Sequence, residues 1–150
     1  MIWSNMSIRK YKADDFPIVS EIYASSKLDE VINEDSEFTL IPLEKDDKRL
    51  SILMASDIYV YDEQGILGYG AHDGPEITAL YVHPRHRGRG VGITLLKYLL
   101  SKIPQQAYLY VAKSNTLAIG IYQKFGFEII EEFQVIYNGV PVLANKLIRY

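Results

Sequence analysis

The chain has no cysteine among its 150 residues. No disulfide framework can form, and no thiolate nucleophile exists, so any covalent acyl-enzyme would need another residue. Long apolar runs are also missing. Nothing approaches the ~18 consecutive apolar residues of a membrane span, and the first residues lack the apolar core of a signal peptide. Membrane spanning and secretion are disfavoured, and a cytoplasmic location is expected. Positive charge is in short supply too: 16 Lys and Arg against 19 Asp and Glu give a formal net charge of −3. A general nucleic-acid binder is usually basic over a whole face, whereas here the basic residues gather in one local cluster from Arg85 to Arg89. No internal repeat, linker or low-complexity tract appears. With 48% hydrophobic residues, and roughly 70% of the unfolded surface buried at this length, one domain spanning residues 1–150 is expected.

What is present is organised around Leu80 to Leu96. An apolar strand runs through a basic, glycine-rich turn into an amphipathic helix. Gly88, Gly90 and Gly92 alternate, so the backbone can take positive φ and bring N–H groups close to a ligand. The first turn of a helix has unpaired donors and partial positive charge, which favours a phosphate there, and Arg87 and Arg89 add to that field. The turn therefore reads as a pyrophosphate cradle. A dinucleotide fingerprint is excluded by spacing: counted from Gly88 its third glycine would fall on Ile93, and from Gly90 on Leu95. A Walker loop is excluded because no Gly-Lys-Ser/Thr follows.

Around this stretch the chain alternates between two periods. Ile8 to Lys12 reads as a first strand, after which Asp14 or Asp15 caps a helix that turns Ile18, Val19, Ile22 and Tyr23 to a core. Residues 29–37 hold Asp29, Glu30, Glu34, Asp35 and Glu37 with little apolar periodicity, and read as an exposed loop or a short helix end with a solvated acidic face. Glu44 to Ala55 reads as another short helix. Ile58 to His72 is a β-hairpin, and Glu76 to Val82 is the strand entering the glycine turn. Val91 to Ile103 is helical until Pro104, and Ala107 to Ala112 is a short buried strand. Asn115 to Phe127 is a helix closed by Gly126 in the left-handed position. Asn115 and Tyr122, seven residues apart, share one face ~10 Å apart along the axis, with small Ala118 between them. The chain ends in a hairpin about Asn138-Gly139.

Two motifs carry a family resemblance. Arg87-x-x-Gly90-x-Gly92 resembles the acetyl-CoA pyrophosphate loop of the GNAT superfamily of N-acetyltransferases. Asn115, Ala118, Tyr122, Gly126 and Phe127 resemble that family's Asn-x-x-Ala-x-x-x-Tyr-x-x-x-Gly-Phe segment. The resemblance implies an α/β GNAT fold: a mixed, twisted sheet of six to seven strands with helices on both faces, splayed open after Glu76–Val82. It also implies acetyl-CoA as cosubstrate. Arg87, Gly88, Arg89, Gly90, Val91 and Gly92 would hold its pyrophosphate, and the backbone around Tyr81 and Val82 would pair with pantetheine. The backbone N–H of Leu80 would polarise the thioester carbonyl, Asn115 and Ala118 would contact the cofactor arm, and Tyr122 would sit beside the sulfur. The resemblance loosely extends the basic loop around Arg85 and Arg89 to the 3′-phosphate.

The chemistry makes its own demands. Acyl transfer from a thioester to an amine needs a neutral nucleophile, a stabilised oxyanion and a proton for the leaving thiolate. Tyrosine, with a reference pKa ~10, keeps its proton at neutral pH, so Tyr122 suits the acid. Glu76 is the first candidate for the base, directly or through water, since four residues along an unbulged strand it shares a face with Leu80. His72 and His83 are weaker candidates. The expected activity is N-acetyl transfer to a primary amine by direct attack in a ternary complex, with no metal. The acceptor is a small amine, an amino-acid derivative or a peptide lysine, and the acidic run permits a cationic one. A CoA-binding sensor without turnover is the alternative. Oligomeric state is open, a homodimer included.

Overall fold

The computed structural model describes residues 7–150. Residues 1–6, part of the expected domain, lie outside the described residues. In chain order the elements are β1 (Ile8–Lys10), α1 (Phe16–Ser26), α2 (Asp47–Met54), β2 (Asp57–Asp62), β3 (Ile66–Asp73), β4 (Glu76–Val82), α3 (Val91–Lys102), β5 (Ala107–Ala112), α4 (Thr116–Lys124), β6 (Glu128–Tyr137) and β7 (Val140–Arg149). The strands form one sheet ordered β1-β2-β3-β4-β5-β7-β6. Every neighbouring pair is antiparallel except β4 and β5. This is the mixed sheet that the resemblance implies.

Helices cover both faces because their apolar stripes match the strands' alternation. Leu95, Leu96 and Leu99 of α3 and Ile119 of α4 pack with Tyr59, Ile77 and Leu109 on one face. Val19, Ile22 and Tyr23 of α1 and Leu53 of α2 pack with Ile58, Val60 and Tyr69 on the other. Helix α3 lies so close to β3 that a Cβ on Gly70 would come within 2.9 Å of Leu99 Cδ1. Among the described residues no helix is long and apolar enough to cross a membrane.

Several local expectations are corrected. Ile18 is 40% exposed rather than core-facing, because α1 packs through Val19, Ile22 and Tyr23. Asp15 stands at the N-cap of α1 without capping its amides. Its buried carboxylate instead accepts from Arg9 Nη1 and Nη2 at 2.8 and 2.9 Å and from the Lys12 N–H at 2.9 Å. The helix expected from Glu44 begins at Asp47, preceded by a separate turn Leu43–Lys45 and capped by Asp46, which accepts from the Arg49 N–H at 3.2 Å.

Arg9 holds the Asp15 carboxyl below its ordinary value, against the opposing effect of burial. The unfolded state therefore binds that proton more readily. Stability from Asp15 is fully present above the ordinary carboxyl value of ~3.9 and is lost as pH falls through the lower folded value. Asp15→Asn is expected to cost about 1–3 kcal/mol at pH 7. Urea unfolding at pH 7 and in acid checks this, since the difference from the parent chain shrinks as the pH drops.

Strand β4 contains an irregularity that sets up the site. Ala71 of β3 pairs with Ala79, but the next residue, His72, pairs with Ile77, which leaves Thr78 as an extra residue. Side-chain parity flips there. Ile77 joins the core under α3, while Ala79 and Tyr81 join the core under α1 and α2. Glu76 and Leu80 consequently occupy opposite faces, which corrects the shared face expected of an unbulged strand. The Thr78 hydroxyl lies 2.8 Å from that of Ser56.

Candidate active site

Parallel strands β4 and β5 pair at a single position, Glu76 with Tyr108. Beyond it they diverge around a cleft of about 1630 Å³. One edge of that cleft is unpaired backbone. The His83 N–H donates to the Leu67 carbonyl at 2.9 Å, which fixes the phase of the ladder between β3 and β4. Hydrogen-bonded pairs alternate in an antiparallel ladder, so Tyr81 also bonds toward β3, and the amides of Leu80 and Val82 point into the gap. This narrows the expectation for this strand: Leu80 presents free backbone groups and Val82 a free N–H, its carbonyl accepting from Arg87, whereas the groups of Tyr81 are used within the sheet.

The basic turn lies at the end of this edge. Gly88 and Gly90 have φ of 78° and 79°, a region that side-chain-bearing residues rarely enter. Gly90 is the N-cap of α3, and its carbonyl accepts from both the N–H and the hydroxyl of Thr94 at 3.0 and 2.7 Å. A Cβ on either Gly88 or Gly90 would meet nothing within 4 Å. The space over the turn is therefore open, and positive φ is what demands glycine. Val91 turns its side chain into the core at 3% exposure, so only its backbone faces the cleft. The Arg87 guanidinium donates to Asp29 at 2.7 Å and to the Val82 carbonyl at 3.3 Å. Arg89 turns aside to His86 Nδ1 at 3.0 Å and does not line the cleft.

Helix α4 forms the facing wall. Asn115 caps it, its side chain accepting from the Ala118 N–H at 3.4 Å, and Gly126 closes the turn after it with φ of 91°. Asn115, Ala118 and Tyr122 all line the cleft. The Tyr122 ring meets Phe127 edge-on at 5.6 Å. Burial, reinforced by the charge of Glu30, pushes the Tyr122 phenol above its ordinary value, so the group holds its proton.

On the opposite face Glu76 also lines the cleft and shares a side-chain hydrogen bond with Tyr108. Burial and then Asp73 raise its carboxyl above the ordinary value, against the opposing effect of Tyr108 and Lys146. Neither weaker histidine candidate lines the cleft. His72 is buried with Nδ1 3.0 Å from the Gly74 carbonyl, and His83 Nδ1 accepts from the Arg85 N–H at 3.1 Å.

Sequence reasoning missed a cluster under α1. The segment Lys27–Val31 is a tight helical turn, one of the two forms expected, but Glu30 within it is half-buried and paired instead of lying on a solvated face. Buried Lys27 donates to Glu30 Oε2 at 2.8 Å and to the Tyr81 hydroxyl at 3.0 Å, and that hydroxyl donates to Glu30 Oε1 at 2.6 Å. The Lys27 ammonium also lies over the rings of Tyr23, Tyr81 and Tyr137 at 5.8, 5.7 and 5.3 Å. The Arg49 guanidinium of α2 also lies over the Tyr137 ring, at 5.0 Å. The only sequence signals were the spacings Lys27-Glu30 and Asp46-Arg49, each three residues and ordinary on any helix.

A sequence profile of the Acetyltransferase (GNAT) family matches residues 5–127. That stretch contains β4, the glycine turn and α4. The chain belongs to the GNAT family. Among curated GNAT relatives, the peptidyl-lysine N-acetyltransferase YjaB of Salmonella typhimurium is 31% identical over 91 residues, 61% of this chain and 62% of the relative. The spermine/spermidine N(1)-acetyltransferase of Bacillus subtilis is 31% identical over 76 residues, 47% of this chain and 49% of the relative. The matches thus span less than two thirds of these relatives. A GCN5-related N-acetyltransferase structure from Rhodopseudomonas palustris superposes with a TM-score of 0.77 at 22% identity, covering 95% of this chain and 93% of that one. The yncA acetyltransferase structure from Salmonella typhimurium, solved with acetyl-CoA, gives 0.69 at 20% identity and covers 94% and 91%. At such identities the superpositions establish the GNAT fold.

Proposed function

We propose that this GNAT chain is an acetyl-CoA-dependent N-acetyltransferase that acetylates a primary amine by direct attack in a ternary complex. The observation that carries the reading is a free backbone edge, Leu80 and Val82, leading along an open cleft to the exposed N-terminus of α3. An extended thiol arm can pair with such an edge while its diphosphate meets the amides of residues 88–92. The open space over Gly88 and Gly90 fits that group. Arg87 reaches the phosphate by exchanging Asp29 for it, and Asn115 and Ala118 border the arm from α4. Tyr81 serves through its side chain, which anchors Glu30 below the cleft.

An alkylamine with pKa ~10 is almost wholly protonated at neutral pH and must first lose a proton. Glu76 accepts it, through water where the amine lies beyond direct reach. The amine nitrogen then forms a bond to the thioester carbonyl carbon, and the Leu80 N–H stabilises the oxyanion. The C–S bond breaks, Tyr122 gives its proton to the sulfur, and the proton released from nitrogen leaves through Glu76. Glu30 is unsuited as the base because Lys27 and Tyr81 occupy its two oxygens. A coenzyme-A sensor without turnover remains the second reading, yet it would have no use for both a raised carboxyl and a proton-holding phenol in one cleft.

Thiol release from acetyl-CoA across a panel of amines tests the reading. Coenzyme A binding without release from any amine would favour the sensor. The pH profile tests the base separately. Because the Glu76 carboxyl is raised, kcat/KM is expected to fall on its acid side at a pH above the ordinary carboxylate range. Glu76→Gln is expected to remove that limb and lower the plateau by about 10²–10⁴-fold. A limb that persists in the variant would assign the proton elsewhere.

A further inference from the structure

Resting on the transferase reading and deepening it, we infer that the acceptor amine carries a carboxylate, bound by Arg49 beside Lys27 on the α1 and α2 side of the cleft. A row of acids near a cleft suggests a cationic acceptor, but hydrogen bonding here points the other way. The two carboxylates nearest the cations, those of Glu30 and Asp46, are already occupied, while Asp29 holds Arg87 at 2.7 Å until Arg87 turns to the phosphate. Glu30 takes Lys27 and Tyr81 on separate oxygens. Asp46 receives the Arg49 backbone N–H on Oδ1 and faces the Arg49 Nε through Oδ2 at 3.2 Å.

The cations, by contrast, have donors to spare. The Arg49 side chain is held at two places, at Nε by Asp46 and with its guanidinium carbon over the Tyr137 ring. Among the described residues its two terminal nitrogens donate to no protein group, and they form the pair of parallel N–H groups that a carboxylate accepts end-on with both oxygens. Lys27 uses its ammonium on Glu30 and Tyr81, and its charge adds to the field of Arg49. Between the two cations lies a side cavity of about 80 Å³ that shares Lys27, Arg49, Thr78 and Tyr81 with the main cleft. That exceeds the ~30 Å³ a single water occupies in the liquid, and suits a carboxylate. Leu43, Ile52, Leu53 and Tyr69 add apolar wall, and the half-exposed Arg49 guanidinium stands where a ligand entering from the cleft can reach it.

The cavity adjoins Thr78, the bulge residue, two positions before Leu80 on the same strand. A carboxylate seated on Arg49 therefore leaves its amine to project into the cleft toward Glu76 and Leu80, all of which line the same space. The acceptor class this selects is the amino acid or a short amine with a free acid group, in preference to a diamine or an amide-capped lysine.

Matched acceptors test the inference: alanine against alaninamide, and 4-aminobutyrate against 4-aminobutanamide, with putrescine as the dication. In at least one pair the wild-type chain is expected to favour the acid by about 10–100-fold in kcat/KM, mostly through KM, as one charged hydrogen-bonded contact supplies. The ratio is expected to fall close to one in Arg49→Gln and to recover in part in Arg49→Lys. Equal or better use of the amides and of putrescine by wild type would overturn the inference, as would a ratio that survives in Arg49→Gln. A second arm needs no turnover. Calorimetry of N-acetylalanine and N-acetylalaninamide with the wild-type chain and coenzyme A is expected to show tighter binding of the acid. No thiol release from any amine, with that preference intact, would sink only the transferase reading. Turnover with no acid preference in either arm would sink only the Arg49 assignment.

Discussion

Tyr122→Phe is expected to lower kcat by about 10²–10⁴-fold while leaving coenzyme A affinity within a small factor of wild type. The substitution removes one oxygen and keeps the ring that packs edge-on against Phe127, so the wall of α4 survives. What disappears is the proton for the departing sulfur. Burial holds that proton on the phenol across the neutral range, so no ionisation of Tyr122 should appear in the wild-type profile there. A proton donated only as the C–S bond breaks contributes to the transition state and not to the ground state, so the loss falls on kcat and on kcat/KM together. Single-turnover thiol release at saturating acetyl-CoA, with isothermal calorimetry for coenzyme A, separates the two quantities. Equal turnover in both chains would reduce Tyr122 to a packing residue.

Gly90→Val is expected to weaken coenzyme A binding by about 10–100-fold or more with the sheet still folded. The reason differs from the close contact that glycine turns suggest. A valine side chain at Gly90 has room, but its backbone sits at φ 79°, where a β-branched residue is strained by roughly 1–2 kcal/mol. Relaxing that strain rotates the amides at the start of α3, and each charged hydrogen bond to a phosphate lost in doing so costs about 1.5–3 kcal/mol. Even an unrelaxed turn would place the new methyl groups in the space assigned to the diphosphate. Calorimetry gives the affinity and circular dichroism the fold. Unchanged affinity would refute the cradle, because the same turn would then be serving only to start a helix.

Much of this architecture was legible in the residues. The strand and helix periods placed every major element, and the glycine turn and the Asn115–Phe127 segment announced the cleft's two walls before any contact was known. The remainder depended on events that have no period. The extra residue at Thr78 is a matter of register between two strands, and nothing in Glu76-Ile-Thr-Ala-Leu distinguishes a bulged strand from a regular one. The acidic run from Asp29 looked solvated because its partners, Tyr81 and Arg87, lie more than fifty positions away. Arg49 gave no signal of its own, since a guanidinium on a short amphipathic helix usually faces water. Its importance arises from Tyr137 at the far end of the chain.

The one-residue slip at Thr78 also explains how a single short strand can serve two reactants. In a regular strand Glu76 and Leu80, four residues apart, would share one face. Here the chain reverses its handed order midway, and Leu80 looks toward the helix that starts at the glycine turn while Glu76 looks toward the opposite layer. The strand becomes a partition, and in the proposed reaction thioester and amine would approach it from separate sides.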